Sequence, residues 1–259
     1  MSARPERPVA LVTGAGSGIG RCVAAQLHRS GDHVVLLDRD RVALSEALAE
    51  LMPTGRERLH AFEVDVADAA SVASCVATIE SEVGPITKLA LVAGVLRVGS
   101  AISVSEDDWK ACLAINAGGV FHVARAASAA MIARRTGAVV TVSSNAGRTP
   151  RLDLAAYAAS KAAATMFTKC LGLELAAYGI RCNVVAPGST HTPMLRALWE
   201  QSSGATATLE GDLRRHRLGI PLGRIADAED VANLVRFLLS DEARHITLQE
   251  ICVDGGSTL

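Results

Sequence analysis

The sequence predicts an α/β fold, a doubly wound parallel sheet with helices on both faces. Three observations predict it. Short runs made almost wholly of Val, Leu and Ala alternate with stretches of helical length. Such runs suit strands covered on both faces, the condition of a parallel sheet. A glycine-rich turn joins the first run to the first helix, and right-handed crossovers then carry the chain to both sides of the sheet. No linker or composition break divides the 259 residues, so residues 1–259 are expected to form a single Rossmann-type domain with a seven-stranded sheet.

Each element has a local reason. "VALVT" (9–13) is the first strand, and "GIGRCVAAQLHRS" is a helix closed by Gly31 as its C-terminal cap. "HVVLLD" (33–38) is the second strand, followed by the helix "RVALSEALAELM", stopped by Pro53. "LHAFEVDV" (59–66) is the third strand. The helix over 68–83 takes Asp68 as N-cap and ends at Gly84-Pro85. "KLALVAG" (88–94) is the fourth strand, and residues 105–134 make one or two helices. "GAVVTVSS" (137–144) is the fifth strand, and an Ala-rich helix spans 155–179. "IRCNVVAPG" (180–188) is the sixth strand, the helix over 227–241 is capped by Asp227, and "LQEICVDGG" (248–256) is the seventh strand. Residues 190–220 differ: "EQSSGATATLEGD" has few large apolar residues and reads as mobile. It follows a strand end, where ligands bind in such sheets, so a substrate lid and a plain surface insertion both stand.

Composition excludes several classes. Apolar residues make up 49% and the formal net charge is -1, so the chain can bury a large core and offers no basic face for nucleic acid or an anionic membrane. No apolar stretch is long and uninterrupted enough to span a bilayer, and "MSARPERPVALV" lacks a signal-peptide core. The six cysteines form no C-x-x-C pair and the seven histidines show no ligand spacing. No metal site is expected, and a reducing cytoplasmic setting fits best.

The glycine-rich turn is "TGAGSGIG". Gly14, Gly16, Gly18 and Gly20, with Ser17 and Ile19, give the spacing G-x-x-x-G-x-G between strand and helix. Lacking side chains, this backbone can wrap a pyrophosphate over a helix N-terminus. Asp38 ends the second strand and can accept both hydroxyls of an adenosine ribose while repelling a 2′-phosphate, which favours NAD over NADP; Arg39 is the counterweight. Asp65 is placed to meet the adenine or to cap the helix that follows.

"AAYAASKAAATMF" sets Tyr157 and Lys161 four apart, on one helix face. On two residues alone a solvated helix face is the stronger reading. The chemical one is that the ammonium stabilises the phenolate and lowers the Tyr pKa, making a general acid/base. Ser144 lies at the end of the fifth strand and Asn116 in the preceding helical stretch.

Taken in order, "TGAGSGIG", "AINAGG", "VTVSS", "YAASK" and "NVVAPG" resemble the short-chain dehydrogenase/reductase family over nearly the whole chain. The resemblance implies that Tyr157 exchanges the substrate hydroxyl proton and that Lys161 lowers its pKa and holds the nicotinamide ribose. It implies that Ser144 binds the reacting oxygen and that Asn116 holds a water linking Lys161 to solvent. Asp65, Val66, Ala93 and Gly94 would line the adenosine, and Pro187, Gly188, Thr190 and Thr192 the nicotinamide. One departure is "ALVAG", with Leu91 where the family has an Asn; it puts a sheet contact in doubt rather than the chemistry. The family commonly forms homotetramers, and the closing segment "HITLQEICVDGGSTL" would contribute to an interface.

Further stretches, "GVLRVGS", "TPRLDLAAYAASKAA", "GIRCNVVAPGST", "LGIPLGRIA" and "HITLQEICVDGGSTL", resemble the branch of the family that acts on cyclic dihydrodiol acids. This implies NAD-dependent oxidation of a ring hydroxyl in a cyclohexadiene acid of the 2,3-dihydro-2,3-dihydroxybenzoate type. The dienone would then aromatise to 2,3-dihydroxybenzoate, a catechol used in siderophore biosynthesis. The same chemistry with an amine at C2, giving 3-hydroxyanthranilate, stays open. An NADP-dependent ketoreductase and a non-catalytic nucleotide sensor are the rival classes. A substrate carboxylate needs a cation, and Arg97 and Arg151 are the candidates near strand ends. Arg151 is preferred because its loop is pinned between Ser144 and Tyr157.

Overall fold

The computed structural model describes residues 8–52, 56–200 and 204–258. Its core is a seven-stranded parallel sheet in the order β3-β2-β1-β4-β5-β6-β9. The strands are β1 Val9–Thr13, β2 His33–Asp38, β3 Leu59–Glu63, β4 Ile86–Leu91, β5 Gly137–Val142, β6 Ile180–Pro187 and β9 Glu250–Val253. Side chains alternate between faces, so β1 sends Ala10 and Val12 into one apolar layer and Val9 and Leu11 into the other. The first layer packs under α1 (Gly18–Arg29), α2 (Arg41–Leu51) and α9 (Ala228–Leu239); the second packs under α3 (Ala69–Thr78), α5 (Gly119–Arg134) and α6 (Ala155–Leu175). Strand order reverses between β1 and β4, which opens a crevice at the carboxyl ends of the strands.

The caps read from sequence are in place. Asp68 accepts from Ala70 N and Ser71 N, and Gly31 closes α1 at φ +95°. Asp227 precedes α9 in a capping box with Asp230. Pro53 lies outside the described residues.

Several boundaries move. β3 stops at Glu63 rather than Val66, because Val64 N donates to Asp38 O and the chain leaves the ladder towards the crevice. The helix over 68–83 ends as a π turn, Ile79–Val83, in which Glu80 receives a bidentate pair from Arg134 and also accepts from Ile86 N. That bond starts β4 at Ile86, two residues earlier than the apolar run suggests. The stretch 105–134 divides into α4 (Glu106–Cys112), a π turn (Leu113–Gly118) and α5. The seventh sheet strand is confined to Glu250–Val253, since Gly255 and Gly256 take positive φ. The departure in "ALVAG" also shifts by one: counting back from Ala93-Gly94, the apolar replacement is Val92, not Leu91. The Thr13 hydroxyl accepts from both Val92 N and Ala93 N, so β1 and β4 remain joined at their ends.

Residues 190–220 are not the featureless loop their composition suggests. They hold α7 (Pro193–Glu200), α8 (Gly204–Glu210) and a two-stranded hairpin, β7 (Gly211–Asp212) and β8 (Arg217–Leu218). A separate small core of Leu195, Ile220 and Ile225 receives Leu198, Trp199 and Leu209, and Trp199 Nε1 donates to Thr208 Oγ1 at 3.1 Å. The large apolar residues are spread along the segment, so a short composition window misses them. Gln201, Ser202 and Ser203 lie outside the described residues.

Candidate active site

The crevice is a cavity of about 460 Å³ that runs from the glycine-rich turn, past the ends of β4 and β5, to α7, α8 and the β7–β8 hairpin. Its nucleotide end follows from backbone proximity. A Cβ on Gly20 would lie 2.0 Å from Gly14 O, so the first turn of α1 can fold against the loop only with glycine there. Gly14 takes φ +67° and sits against Ala93 at the end of β4. α1 begins at Gly18, and its free N–H groups and dipole face the cavity, which suits a pyrophosphate. Asp38 ends β2, where its Oδ2 accepts from Gly16 N at 2.9 Å and its Oδ1 from Asp40 N at 3.1 Å. The carboxylate is thereby held at the wall where an adenosine ribose would lie. Asp65 lines the cavity, and its Oδ1 accepts from Ala67 N at 2.9 Å in the turn before α3; the cap of that helix is Asp68, not Asp65. The residues expected for the cofactor, including Ser17, Ile19, Arg39, Val66, Gly94, Pro187, Gly188, Thr190 and Thr192, all line this cavity. The glycine cradle and the donor set therefore fit a dinucleotide.

The reacting end is built on α6 lying along β5. Tyr157 and Lys161 are buried, and Ser144, at the end of β5, lies beside Tyr157 and pulls its pKa down. Ser144 Oγ also accepts from Ala146 N at 3.2 Å. Lys161 Nζ donates to Val142 O at 3.0 Å and stands 5.8 Å from the centroid of the Tyr157 ring. Two further bonds fix the helix register: Ser143 Oγ donates to Lys161 O, and Thr165 Oγ1 donates to Ser143 Oγ.

The π turn of Leu113–Gly118 aims Asn116 inward. Its Oδ1 accepts from Val95 N at 2.7 Å, and its Nδ2 donates to Val95 O and to Ser160 Oγ. Both amide hydrogens are thus committed, and only the second lone pair of Oδ1 is free for the water relay the family implies. Asn116 does not line the cavity; it ties the segment after β4 to α6.

The electrostatics depart from the expected pairing. Burial raises the Tyr157 pKa, with the Ser144 hydrogen bond pulling it down, and burial lowers Lys161 to about 8. Desolvation disfavours both charged forms, so in the protein alone it outweighs any lowering of Tyr157 by Lys161.

Arg151, in the loop between Ser144 and Tyr157, lines the cavity; Arg97 does not. Arg97 pairs with Asp108 at 3.0 Å and donates to Leu96 O, a half-exposed bridge to α4. The reading of Arg97 as a substrate residue is therefore corrected: a neighbouring carboxylate captures it. Sequence reasoning missed Arg215 and Arg217, which line the cavity from the lid. The run "RRHR" in a segment already taken for a lid was the available signal.

A parallel sheet with a glycine-rich nucleotide cradle and a buried Tyr, Lys and Ser at the same edge defines a nucleotide-dependent oxidoreductase. The family model described as short chain dehydrogenase matches residues 8–203. The chain belongs to that family, whose dehydrogenases use nicotinamide cofactors, and it is an oxidoreductase acting on a CH–OH group. It is 48% identical to a 2,3-dihydro-2,3-dihydroxybenzoate dehydrogenase of Bacillus subtilis (strain 168), over 98% of this chain and 97% of that one. It is 43% identical to the dehydrogenase of the same name in Escherichia coli (strain K12), over 96% of each. Among solved structures, levodione reductase superposes with a TM-score of 0.89 at 28% identity, covering 96% of each chain. No helix among the described residues is long and apolar enough to cross a membrane.

The Lys161 shift yields a prediction. Below pH 8 the folded protein holds a buried ammonium that unfolding would release to water. Stability is therefore reduced at neutral pH, and it recovers as pH rises from about 8 towards the ordinary 10.5. After the lost Val142 bond is subtracted, Lys161→Met should stabilise the ligand-free protein by ~2 kcal/mol at pH 7, or about 4 °C in Tm. The gain should shrink by pH 10. Thermal melts at the two pH values check this, and a variant that melts lower at pH 7 contradicts it.

Proposed function

We propose that this protein oxidises 2,3-dihydro-2,3-dihydroxybenzoate with NAD, giving 2,3-dihydroxybenzoate after aromatisation, as a step towards catechol siderophores. One observation carries the acid substrate: Arg151 lines the reacting end of the cavity, half-buried, with no ion pair among the described residues. The names of the two bacterial relatives support the same substrate.

Tyr157 takes the hydroxyl proton as the carbonyl forms, so it acts as general base in this direction. Ser144, which lies beside the phenol, holds the reacting oxygen next to it. Lys161 adds positive charge behind Tyr157 and reaches the ribose side of the cavity. Bound NAD supplies the hydride acceptor and a positive ring that favours the phenolate. The ring ketone that leaves this step tautomerises to a catechol, which makes oxidation the favoured direction. A 2-amino analogue fits the same groups, because nothing in this arrangement reads the C2 substituent.

A panel of cyclic dihydrodiol acids and neutral cyclohexenols, followed by nicotinamide absorbance, tests the reading. The benzoate dihydrodiol should give the highest kcat/KM. Tyr157→Phe should lose at least about a thousandfold in kcat with NAD affinity nearly intact, since only the hydroxyl is removed. Oxidation should rise with pH above 7, because the raised Tyr157 pKa leaves the base form scarce at neutrality. Neutral alcohols turning over as well as the acid would overturn the assignment.

NAD is proposed over NADP because Asp38 closes the ribose wall with a carboxylate fixed by Gly16. Wild type should prefer NAD by ~100-fold in kcat/KM, and Asp38→Ala should narrow the gap by at least tenfold by removing repulsion of a 2′-phosphate. A wild-type preference for NADP would point to Arg39 instead.

We further propose a homotetramer. β9 ends the sheet and is half-exposed, and α6 presents Met166 at 60% and Leu173 at 70% exposure, values a covered helix face would explain. The segment after β9 is largely committed within the subunit: Asn145 Nδ2 donates to Asp254 Oδ2 and Ser257 Oγ. The interface part of the closing segment is therefore β9 itself rather than its tail. Light scattering that finds only a monomer at micromolar concentration would reject this assembly.

A further inference from the structure

We propose that Arg217, carried by the lid hairpin, joins Arg151 in a two-guanidinium seat for the substrate carboxylate, with the Arg215–Asp153 ion pair latching the hairpin over it. The inference rests on the acid substrate proposed above and adds the lid to its recognition.

The hairpin is rigidly made. β7 and β8 pair Gly211 with Leu218 and Asp212 with Arg217. Gly211 takes φ +87°, and a Cβ there would meet Arg217 O at 2.7 Å, so the two strands touch backbone to backbone. Asp212 Oδ1 accepts from Arg214 N at 3.0 Å, and His216 turns the chain at φ +50°. This turn sets Arg215 and Arg217 on the cavity wall, with Arg151 contributed by the loop that precedes Tyr157.

The charges on this wall are unequal in their partners. Arg215 Nη2 meets Asp153 Oδ2 at 2.5 Å, which links hairpin to catalytic loop. Asp153 itself holds φ +62°, and its carbonyl accepts from Gly99 N, so the acceptor end of the latch is fixed. Among the described residues Arg217 has a neutral partner only, Ser189 Oγ at 3.0 Å. Arg151 has no carboxylate in contact among the described residues; the nearest compensating charge is Asp254. The Asp254 oxygens already accept from Asn145, Gly256, Ser257 and Thr258. Burial, together with Arg151 and Arg215, pulls the Arg217 pKa down. Asp153 and Asp212 also line this wall, but Asp153 is taken by Arg215 and Asp212 accepts from Arg214 N. Two half-buried guanidinium groups facing one cavity with no carboxylate in contact among the described residues are costly until an anion arrives. A benzoate carboxylate offers two oxygens to two planar forks. The cofactor pyrophosphate is the other anion in reach of the cavity, but the glycine-rich turn and the start of α1 serve it at the opposite end.

Calorimetric titration of the protein–NAD complex with 2,3-dihydroxybenzoate and with catechol, which lacks the carboxylate, tests the seat. Wild type should bind the acid at least tenfold more tightly than catechol. Arg217→Gln should weaken the acid about tenfold or more while leaving catechol and NAD affinities within twofold, and Arg217→Lys should recover part of the loss. Arg215→Asp should weaken the acid, and adding Asp153→Arg should restore it, a rescue that loss of structure would not show. If Arg151→Gln weakens the acid selectively and Arg217→Gln does not, the two-arginine seat is overturned and the acid reading stands. Equal loss of acid and catechol, or weakened NAD, in Arg217→Gln also overturns it. A wild type that does not distinguish acid from catechol removes both the seat and the acid substrate.

Discussion

The site depends on a lysine ammonium buried where no carboxylate among the described residues meets it. Lys161 is 5% exposed and has one hydrogen bond, to Val142 O. A charge so placed is unfavourable unless it is paired and hydrogen-bonded, and it stays in the site only because the surrounding backbone is fixed. The structure fixes that backbone with polar bonds from α6: Thr141 with Thr168 and Ser143 with Lys161 O and Thr165 on the sheet side, and Asn116 of the π turn with Ser160. The sheet-side bonds set the axial position of α6 against β5, and so the place of Tyr157 beside Ser144. Folding and acid–base geometry are here one constraint.

The same edge of the sheet collects the nucleotide cradle because strand order reverses beside β1. Gly14 packs on Ala93 and Gly16 binds Asp38, so the loop after β1 is held by the ends of both neighbouring strands. Gly94 closes the distance between the two halves: a Cβ there would lie 3.1 Å from Asn116 Oδ1 and 3.2 Å from Lys161 Nζ. A larger residue at 94 would push on the buried ammonium itself. Cofactor wall and proton site therefore share one tightly packed segment, residues 92–95.

Much of this was legible in the sequence, because strand runs, glycine spacing and caps are local signals. What escaped was decided by contacts distant along the chain. Arg97 and Arg151 are equally basic and both follow strand ends, yet Asp108, 11 residues beyond Arg97, claims one and leaves the other facing the cavity. The π turn that aims Asn116 has no composition signature within an Ala-rich run; it follows from packing against Val95 and Ser160. The direction of the Tyr157 shift in the protein alone differs from the sequence expectation for a related reason, and the Lys161 shift was not foreseen. A spacing of four establishes that the two are neighbours, but it is silent on burial, and burial dominates both.

The lid shows how an electrostatic cost can be turned to recognition. Its small core of Leu195, Ile220 and Ile225 is enough to fold the hairpin against the body, so Arg217 is delivered to the cavity by apolar contacts made elsewhere. The hairpin can then hold an unpaired cation that a free loop would swing into water. A lid anchored in this way discriminates between ligands by charge: an acid relieves the repulsion between Arg151 and Arg217, whereas a neutral ring of the same shape leaves it in place. In the proposed two-arginine seat, selectivity for the acid arises from a penalty stored in the protein as much as from the contacts the acid makes.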